Sequence, residues 1–205
     1  MKIVLIAGYL GSGKTTLIIA LSKQLAGQGT KIAILVNDVG AIPVDGAVMQ
    51  EYGLTVKDIG GGCICCQVAG NLMKTLETLA TSVRPDIVII EPTGIAVPDA
   101  IRQTVLLSAR KNPVEMGHTI VLFDTSRAAK FLTYDTLKRL VSLQIRDATI
   151  IGLSKSDLVT REEVEAATHA VREINQGAEV VRISTVTGEG LSSLAGRILS
   201  AAVTA

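Results

Sequence analysis

The sequence has few aromatic residues and almost no net charge. Its 205 residues include no Trp, three Tyr and two Phe, and 20 Lys and Arg stand against 19 Asp and Glu, so the formal net charge is +1. Few rings are available to stack on bases, and a neutral chain has no general attraction for nucleic acid or for anionic membranes. Composition argues against both as partners, and any bound anion must be held by a local device.

Long apolar runs are also missing, although 48% of the residues are hydrophobic. No run approaches the roughly 18 residues that a helix needs to span a bilayer. The first run, Ile3–Ala7, ends in a glycine-rich segment and not in the small-residue cleavage site of a signal peptide. A chain this long and this apolar can bury a sizeable core, which excludes intrinsic disorder and predicts a single domain over residues 1–205, located in the cytoplasm.

Cysteine is rare, and all of it lies in one place. The three cysteines are Cys63, Cys65 and Cys66. Three thiols within four positions are not a disulfide framework, because disulfide bonds join distant segments, and a reducing compartment keeps thiols free. Such a cluster is typical of metal binding or of redox chemistry.

Short runs rich in Val and Ile recur along the chain and predict a parallel sheet. Each run is nearly continuously apolar, as are strands that are buried on both faces of such a sheet. Six strands are expected, over Lys2–Ala7, Lys31–Val36, Asp86–Ile90, His118–Phe123, Ala148–Leu153 and Glu179–Ile183.

Segments with helical spacing alternate with these runs. Thr160–Glu163 has the pattern of a capping box and predicts the start of a helix. The alternation predicts an α/β fold, with a mostly parallel sheet flanked by helices on both faces. The stretch Asn37–Gly62 has no clear periodicity and is long for a connection, so we expect it to be functional or mobile. Two sets of leucines share a helical face, one after the first strand and one before the third: Leu17, Leu21 and Leu25, and Leu72, Leu76 and Leu79.

The segment Gly8–Thr15 matches the phosphate-binding pattern G-x-x-x-x-G-K-[ST], between a strand and an amphipathic helix. Its glycines let the backbone curl so that successive N–H groups point at a phosphate, and the N-terminus of the helix adds partial positive charge. We expect Lys14 to reach the β- and γ-phosphates and the hydroxyl of Thr15 to bind Mg²⁺. The predicted fold is that of a P-loop NTPase, with a nucleotide site that includes Gly11, Ser12, Gly13, Lys14, Thr15 and Thr16.

Glu91 ends the third predicted strand and is followed by Pro92, Thr93 and Gly94. Its carboxylate is expected at the carboxyl end of the strand, where α/β proteins bind their ligands. Beside a phosphate loop, Glu91 is a candidate catalytic residue that completes the Mg²⁺ shell or orients the attacking water.

The segment Ser154–Asp157 follows another apolar strand and resembles the guanine-reading motif N-K-x-D of GTPases. In that motif the Asp accepts hydrogen bonds from the ring N–H and the exocyclic amine of the base. The resemblance assigns these contacts to Asp157 and makes the stem of Lys155 a surface on which the base packs. Ser184–Gly188, after the sixth strand, is similar to the loop that closes over the base and adds Ser184 to the nucleotide site.

The cysteine cluster sits behind three consecutive glycines, so its three thiols can point at one centre. Thiolates are soft donors that suit Zn²⁺ or Cu⁺, and Co²⁺ and Ni²⁺ are further candidates. Three protein ligands leave a coordination position open, which lets a site pass its metal on. A thiol redox switch is the rival interpretation, although a bridge between the adjacent Cys65 and Cys66 would be strained.

Together these motifs resemble the CobW/HypB/UreG group of P-loop GTPases, and within it the CobW-like branch that carries a G-C-x-C-C metal motif. The resemblance extends from Ile3 to about Gly190. Asp38 stands where the branch has Glu in its N-E-F-G motif. The segments that match are Gly8–Thr16, Asn37–Gly40, Val44–Gly46, Cys63–Cys66, Glu91–Gly94 and Phe123-Asp124.

The resemblance implies a metallochaperone or metal insertase. GTP binding and hydrolysis would change the affinity for Zn²⁺, Co²⁺ or Ni²⁺, or for a client metalloenzyme or cofactor-assembly protein, including one of a cobalamin-type pathway. A γ-phosphate could order Asn37–Gly62 and thereby move the cysteines. Asp38 and Asp45 are candidates for Mg²⁺ or regulatory contacts, and a plain Asp-Gly turn explains Asp45 equally well.

The chain departs from the family pattern in two ways. Ser154 stands in place of the Asn of the base motif, so the guanine preference rests on Asp157 and use of ATP stays open. The sequence reaches Ala205 without the C-terminal domain common in CobW-like members, so we expect the fourth metal ligand from solvent, another chain, a second protomer or His118. A homodimer stays open, as does a metabolic kinase, for which the sequence shows no lid or substrate site.

Overall fold

One parallel sheet organises the molecule. The computed structural model describes residues 1–36, 55–58 and 67–200. Within these ranges seven strands pair in parallel, in the order β3-β2-β4-β1-β5-β6-β7. The strands are β1 (Lys2–Gly8), β2 (Ile32–Val36), β3 (Thr55–Asp58), β4 (Ile87–Glu91), β5 (Glu115–Asp124), β6 (Ile150–Ser154) and β7 (Glu179–Ile183).

Helices cover both faces of this sheet. One apolar cluster joins the first and last described helices to one face, and two further clusters join the other helices to the opposite face. Among these described helices, none combines the length and the apolar character that crossing a bilayer requires. They are α1 (Lys14–Ala26), α2 (Gln67–Thr78), α3 (Pro98–Ala109), α4 (Ala128–Thr133), α5 (Asp135–Arg146), α6 (Arg161–Ile174) and α7 (Leu191–Leu199).

The local sequence signals are confirmed. The leucines with helical spacing are all buried, although Leu79 opens a short π-helical turn, Leu79–Val83, after α2. Helix α6 has the predicted capping box. The backbone N–H of Glu163 donates to Thr160 Oγ1 at 3.3 Å, and the N–H of Thr160 donates to Glu163 Oε2 at 2.8 Å. This exchange satisfies backbone donors that the first turn of a helix leaves unpaired.

The six predicted strands are confirmed, and β3 is an addition. It lies inside the stretch Asn37–Gly62, in which the sequence shows no periodicity, and pairs with β2 from Ala33↔Thr55 to Val36↔Asp58. Among the described strands it pairs with β2 alone, at the edge of the sheet, so it does not need the continuous apolar run that marks the inner strands. Strand β5 also begins at Glu115, three residues before the predicted start at His118.

The parallel pairing places the carboxyl ends of all seven described strands along one edge. The chain first fills the sheet on one side of β1 and then crosses to the other side, so β1 lies between β4 and β5. In open α/β sheets, ligands bind where the strand order reverses in this way. The segments that follow β1, β4, β5, β6 and β7 meet at this edge.

Candidate nucleotide-binding site

The phosphate loop depends on glycine at three positions. Gly8, Gly11 and Gly13 have φ values of 139°, 72° and 91°, which side-chain-bearing residues rarely adopt. A Cβ at Gly8 would also lie 2.5 Å from the carbonyl oxygen of Leu122. Left-handed residues of this kind are found where successive backbone N–H groups form an anion-binding concavity. Helix α1 starts directly after Gly13, so the loop and a helix N-terminus coincide.

Two buried charged groups, Lys14 and Glu91, and the half-buried Thr15 lie together at the carboxyl ends of β1 and β4. Lys14 is 8% exposed and Glu91 is 9% exposed. Thr15 Oγ1 donates a hydrogen bond to Glu91 Oε1 at 2.8 Å, and Lys14 Nζ lies 3.5 Å from the carbonyl oxygen of Tyr9. The structure therefore brings together the three residues that the sequence predicted to act on the phosphates and on Mg²⁺.

Burial shifts the pKa values of Lys14 and Glu91 in opposite directions. Loss of hydration lowers the pKa of Lys14, and the nearby charge of Glu91 opposes this shift. Loss of hydration raises the pKa of Glu91, against the hydrogen bond from Thr15 and the charge of Lys14. Perturbed groups in a cleft are characteristic of functional sites.

Three buried oxygen atoms at this end of the sheet lack hydrogen-bond partners within the described part of the chain: Ser12 Oγ, Glu91 Oε2 and Thr125 Oγ1. Buried polar atoms in native proteins nearly always have a partner, so Ser12 Oγ in the loop and Glu91 Oε2 beside Thr15 are available to a ligand. A carboxylate oxygen next to a threonine hydroxyl is a set of hard oxygen donors that suits Mg²⁺, so Thr15 and Glu91 fit this cation.

A cavity of about 260 Å³ connects the phosphate loop with the predicted base motif. Gly13 and Thr16 line it on the loop side. Lys155 and Asp157 line it on the side of β6, and the apolar Val186 closes it from the segment after β7. The side-chain hydroxyl of Ser156 donates to the carboxylate of Glu189 at 2.7 Å, which ties the β6 segment to the β7 segment. The phosphate loop and the predicted base motif thus face one cavity.

Two serines near this cavity have structural partners. Ser184 is buried, and its Oγ accepts hydrogen bonds from the backbone N–H groups of Val186 at 3.2 Å and Thr187 at 3.1 Å. Ser184 supports the turn, while its neighbours Thr185 and Val186 line the cavity. Ser154 is also buried, with its Oγ 3.4 Å from the carbonyl oxygen of Phe123. A direct contact between Ser184 and the nucleotide stays a prediction.

Asp124 is a polar junction whose role we did not predict. It is fully buried at the end of β5, and Oδ2 accepts from Arg127 Nε and from Lys155 Nζ, both at 2.7 Å. Ser126 donates to Oδ1 from its backbone N–H and from its hydroxyl. Burial alone would raise the pKa of Asp124, but hydrogen bonds from Lys155, Ser126 and Arg127 together lower it. The sequence signal was an acid that ends an apolar strand.

The segment that follows Glu91 is fastened on two sides. A Cβ at Gly94 would lie 2.7 Å from the backbone nitrogen of Leu10, so this segment packs directly on the phosphate loop. From α5, Gln144 Nε2 donates to the carbonyl oxygens of Gly94 at 3.1 Å and Ala96 at 2.9 Å. Gln144 was missed as well, and its signal is a polar residue on the apolar face of an amphipathic helix.

The predicted transition-metal site lies outside the described residues. This applies to Cys63, Cys65 and Cys66, and also to Asp38 and Asp45. Within residues 1–36, 55–58 and 67–200, His, Cys, Asp and Glu form no group of three that could hold a metal ion.

His118, a candidate fourth ligand, lies near the amino end of β5, far along the strand from Asp124. Its Nδ1 is 3.1 Å from Thr149 Oγ1, and burial lowers the pKa of the ring. The structure thus gives this histidine a local hydrogen-bond partner at the edge of the sheet opposite the phosphate loop.

The family described as CobW/HypB/UreG, nucleotide-binding domain, matches residues 2–182. The chain belongs to this family. Among curated relatives, it is 33% identical over 164 residues to the zinc chaperone YeiR of Escherichia coli K12, which covers 79% of this chain and 48% of YeiR. The chain spans about half the length of the curated relatives it matches.

Solved structures of the family confirm the P-loop NTPase-like fold. The Zn(II)-bound YjiA GTPase from E. coli superposes with a TM-score of 0.67 at 24% identity, over 88% of this chain and 56% of YjiA. HypB from Helicobacter pylori, in complex with nickel, superposes with a TM-score of 0.67 at 18% identity, over 96% of this chain and 85% of HypB. At these identities the comparison establishes the fold.

Proposed function

We propose that this chain is a GTP-binding and GTP-hydrolysing metallochaperone domain. Nucleotide state would control its affinity for a transition metal, which it delivers to a client metalloenzyme or cofactor-assembly protein. The observation that carries the nucleotide part is the pair of buried charges on Lys14 and Glu91, joined by Thr15, beside a cavity that the base motif lines. Membership of the family and the three clustered thiols support the metal part.

The phosphates are assigned to the loop. The backbone of Gly11, Ser12 and Gly13 would cradle them, with the hydroxyls of Thr15 and Thr16 at the start of α1. Lys14 supplies the positive charge, and phosphate binding would return its pKa towards the ordinary value, because an anion favours the charged amine.

The base is assigned to the cavity. Asp157 would accept from the ring N–H and the exocyclic amine of guanine, Lys155 would cover one face of the base, and the Ser184 segment would close the other side. Since Ser154 replaces the usual Asn, paired titrations with GTP and ATP test the base preference directly.

Glu91 is assigned to the Mg²⁺ shell or to the attacking water. Thr15 and Glu91 would hold the cation, which neutralises charge on the β- and γ-phosphates when it is bound. The buried carboxylate can orient a water molecule for attack on the γ-phosphorus, and Lys14 stabilises charge on the phosphoryl oxygens. Positioning and charge, rather than covalent chemistry, supply the rate enhancement in this scheme.

The metal cargo is assigned to Cys63, Cys65 and Cys66. A zinc chaperone and a nickel-complexed protein stand among the relatives and neighbours, so Zn²⁺ and Ni²⁺ are the first probes, with Co²⁺ as the third. The fourth ligand comes from solvent, a client or a second protomer. A cytoplasmic location belongs to the same proposal, because a reducing compartment keeps thiols available for metal.

Equilibrium dialysis tests the coupling. The reduced chain is dialysed against each metal, with and without a non-hydrolysable GTP analogue and Mg²⁺. We expect tight binding of at least one metal, an affinity that changes about tenfold or more with the analogue, and loss of binding in Cys65→Ser. This tenfold change is an ordinary allosteric coupling.

The control variant is His169→Asn, which changes an exposed side chain, leaves all three thiols and His118 intact and is expected to bind metal as the native chain does. Unchanged metal affinity in Cys65→Ser would refute the metal site. If metal binds weakly, while mild oxidation removes free thiols and alters nucleotide affinity, the redox-switch interpretation is correct instead.

A further inference from the structure

Arg127 joins the phosphate loop to the segment that follows β5. Its Nη2 donates to the carbonyl oxygen of Leu10 and its Nε donates to Asp124 Oδ2, each at 2.7 Å. The guanidinium lies 5.2 Å from the ring centre of Phe131 and 6.0 Å from that of Tyr9. Two directed hydrogen bonds and two aromatic rings therefore fix the position of this side chain.

The contacts of Arg127 continue to the base motif. Lys155 Nζ and Arg127 Nε donate to the same carboxylate oxygen, Asp124 Oδ2. The carboxylate of Asp124 is fully buried, while the Arg127 and Lys155 side chains are about one-third exposed, so water and salt screen these two bonds only in part. A continuous set of polar contacts thus runs from the predicted base motif through Asp124 and Arg127 to the loop.

Two carbonyl groups of the phosphate loop have partners inside the protein. The carbonyl oxygen of Tyr9 accepts from the backbone N–H of Ser12 at 3.1 Å, and that of Leu10 accepts from Arg127. The hydrogen bond from Arg127 fixes the direction of the Leu10 carbonyl group. This matters because a carbonyl oxygen turned towards a phosphate would repel it, whereas backbone N–H groups attract it. The next residue is close as well, since a Cβ at Gly11 would lie 3.3 Å from Arg127 Nη2.

We propose that Arg127 is a positioning residue for nucleotide binding. It holds the Leu10 carbonyl away from the phosphates and keeps the loop in register with the base motif through Asp124. The proposal rests on the nucleotide-binding part of the proposed function and is independent of the metal. Arginine suits this role because its planar guanidinium offers two donors in fixed directions, whereas the single ammonium of lysine cannot serve both acceptors in the same geometry.

Arg127→Lys tests this role because it keeps a positive charge beside the buried Asp124 and removes only the guanidinium geometry. We measure binding of fluorescent GDP and ADP analogues, and kcat and KM for whichever triphosphate the native chain hydrolyses. We expect about tenfold weaker diphosphate binding and a matching rise in KM, with kcat at saturation within about twofold, because the loss of one charge-assisted hydrogen bond acts on binding. Arg161→Lys, in an exposed ion pair with Glu165, is the matched control and should change none of these.

Thermal unfolding of both variants separates positioning from folding. We expect Arg127→Lys to unfold within a few degrees of the native chain. Unchanged diphosphate affinity in a folded Arg127→Lys would overturn the role of Arg127 while leaving the metallochaperone proposal intact, as would a loss in kcat without a rise in KM. If the variant unfolds, Asp124→Glu, which keeps the charge but shifts the carboxylate, is expected to show the same rise in KM. Native protein that binds neither diphosphate overturns both proposals.

Discussion

The two halves of the cleft differ in how their buried polar groups are satisfied. On the base side, Asp124 accepts four hydrogen bonds, and the buried Ser156 and Ser184 each have protein partners. On the phosphate side, Ser12 Oγ and Glu91 Oε2 have no partner within the described part of the chain, and on the base side the same holds for the hydroxyl of Thr125, next to Asp124. Folding thus pairs both oxygens of the buried carboxylate on the base side, while the buried carboxylate on the phosphate side has bonding capacity left for a ligand.

This difference predicts opposite costs for substitutions in the two halves. A polar group that is paired within the protein contributes to stability, so its removal weakens the fold. A buried charge without full pairing opposes folding, so its removal leaves stability unchanged or raises it and affects only ligand binding. Substitutions on the base side should therefore lower stability, and substitutions on the phosphate side should lower nucleotide affinity.

The largest effect is expected from Lys14→Met on the phosphate side. Loss of the buried ammonium should weaken GTP binding by about 100-fold or more, since a charge-assisted contact to phosphate in a water-poor site is lost. The free energy of unfolding should be no lower than that of the native chain, because burial already disfavours the charged amine. Nucleotide titration and urea unfolding measure the two quantities.

Lys23→Met in the same helix is the control, since its side chain is exposed. It should preserve GTP affinity. A Lys14→Met variant that is much less stable than the native chain would contradict the assignment of Lys14 to the ligand rather than to the fold.

Asp124→Asn on the base side should show the reverse pattern. We expect it to lower the free energy of unfolding by about 2–4 kcal/mol at pH 7, because it removes the charge that pairs with Lys155 and Arg127 at a fully buried position. The pKa of Asp124 is lowered from its ordinary value of 3.8, so its stabilisation is complete above that value and is lost as the pH falls through the lowered one. Urea unfolding of both proteins between pH 2 and pH 7 should show the difference shrinking in acid. A constant difference over this range would exclude the charge as its cause.

Glu91→Gln should have a smaller effect on stability than Asp124→Asn, with the opposite sign. Burial raises the pKa of Glu91 above 4.5, so the native chain loses stability as the pH rises from that value through the raised one. The variant keeps the acceptor for Thr15 but carries no charge, and we expect it to be about 1 kcal/mol more stable than the native chain at pH 7 and equal to it near pH 4. Glu115→Gln, at an exposed position, should change neither value. If Glu91→Gln were less stable than the native chain at pH 7, the charge of Glu91 would contribute to folding, as that of Asp124 does, and the prediction would be wrong.

Features that are encoded locally could be predicted from the sequence. The inner strands contain nearly continuous apolar runs because they are buried on both faces, and the phosphate loop and the capping box at Thr160 each lie within a few consecutive residues. The short edge strand β3 could not, since among the described strands it pairs with β2 alone and needs no continuous apolar run.

The polar contacts around Asp124 could not be predicted either. The pairing of β5 with β6 places Asp124 opposite Ser154, and this register brings Lys155 to a carboxylate 31 positions earlier in the chain. A one-residue shift in register would turn that side chain to the other face of the sheet. The polar residues themselves could be recognised in the sequence, but which of them contact one another depends on the strand register.

Gln144 has a mechanical consequence. It is 1% exposed, and both of its recorded bonds go to the segment that carries Gly94 and Ala96 behind Glu91. If that segment moved away alone, a buried amide would lose both acceptors, which costs about 1–3 kcal/mol. The segment and helix α5 are thus expected to move together. A spectroscopic label on the outer surface of α5 would therefore report movements of the segment that follows Glu91.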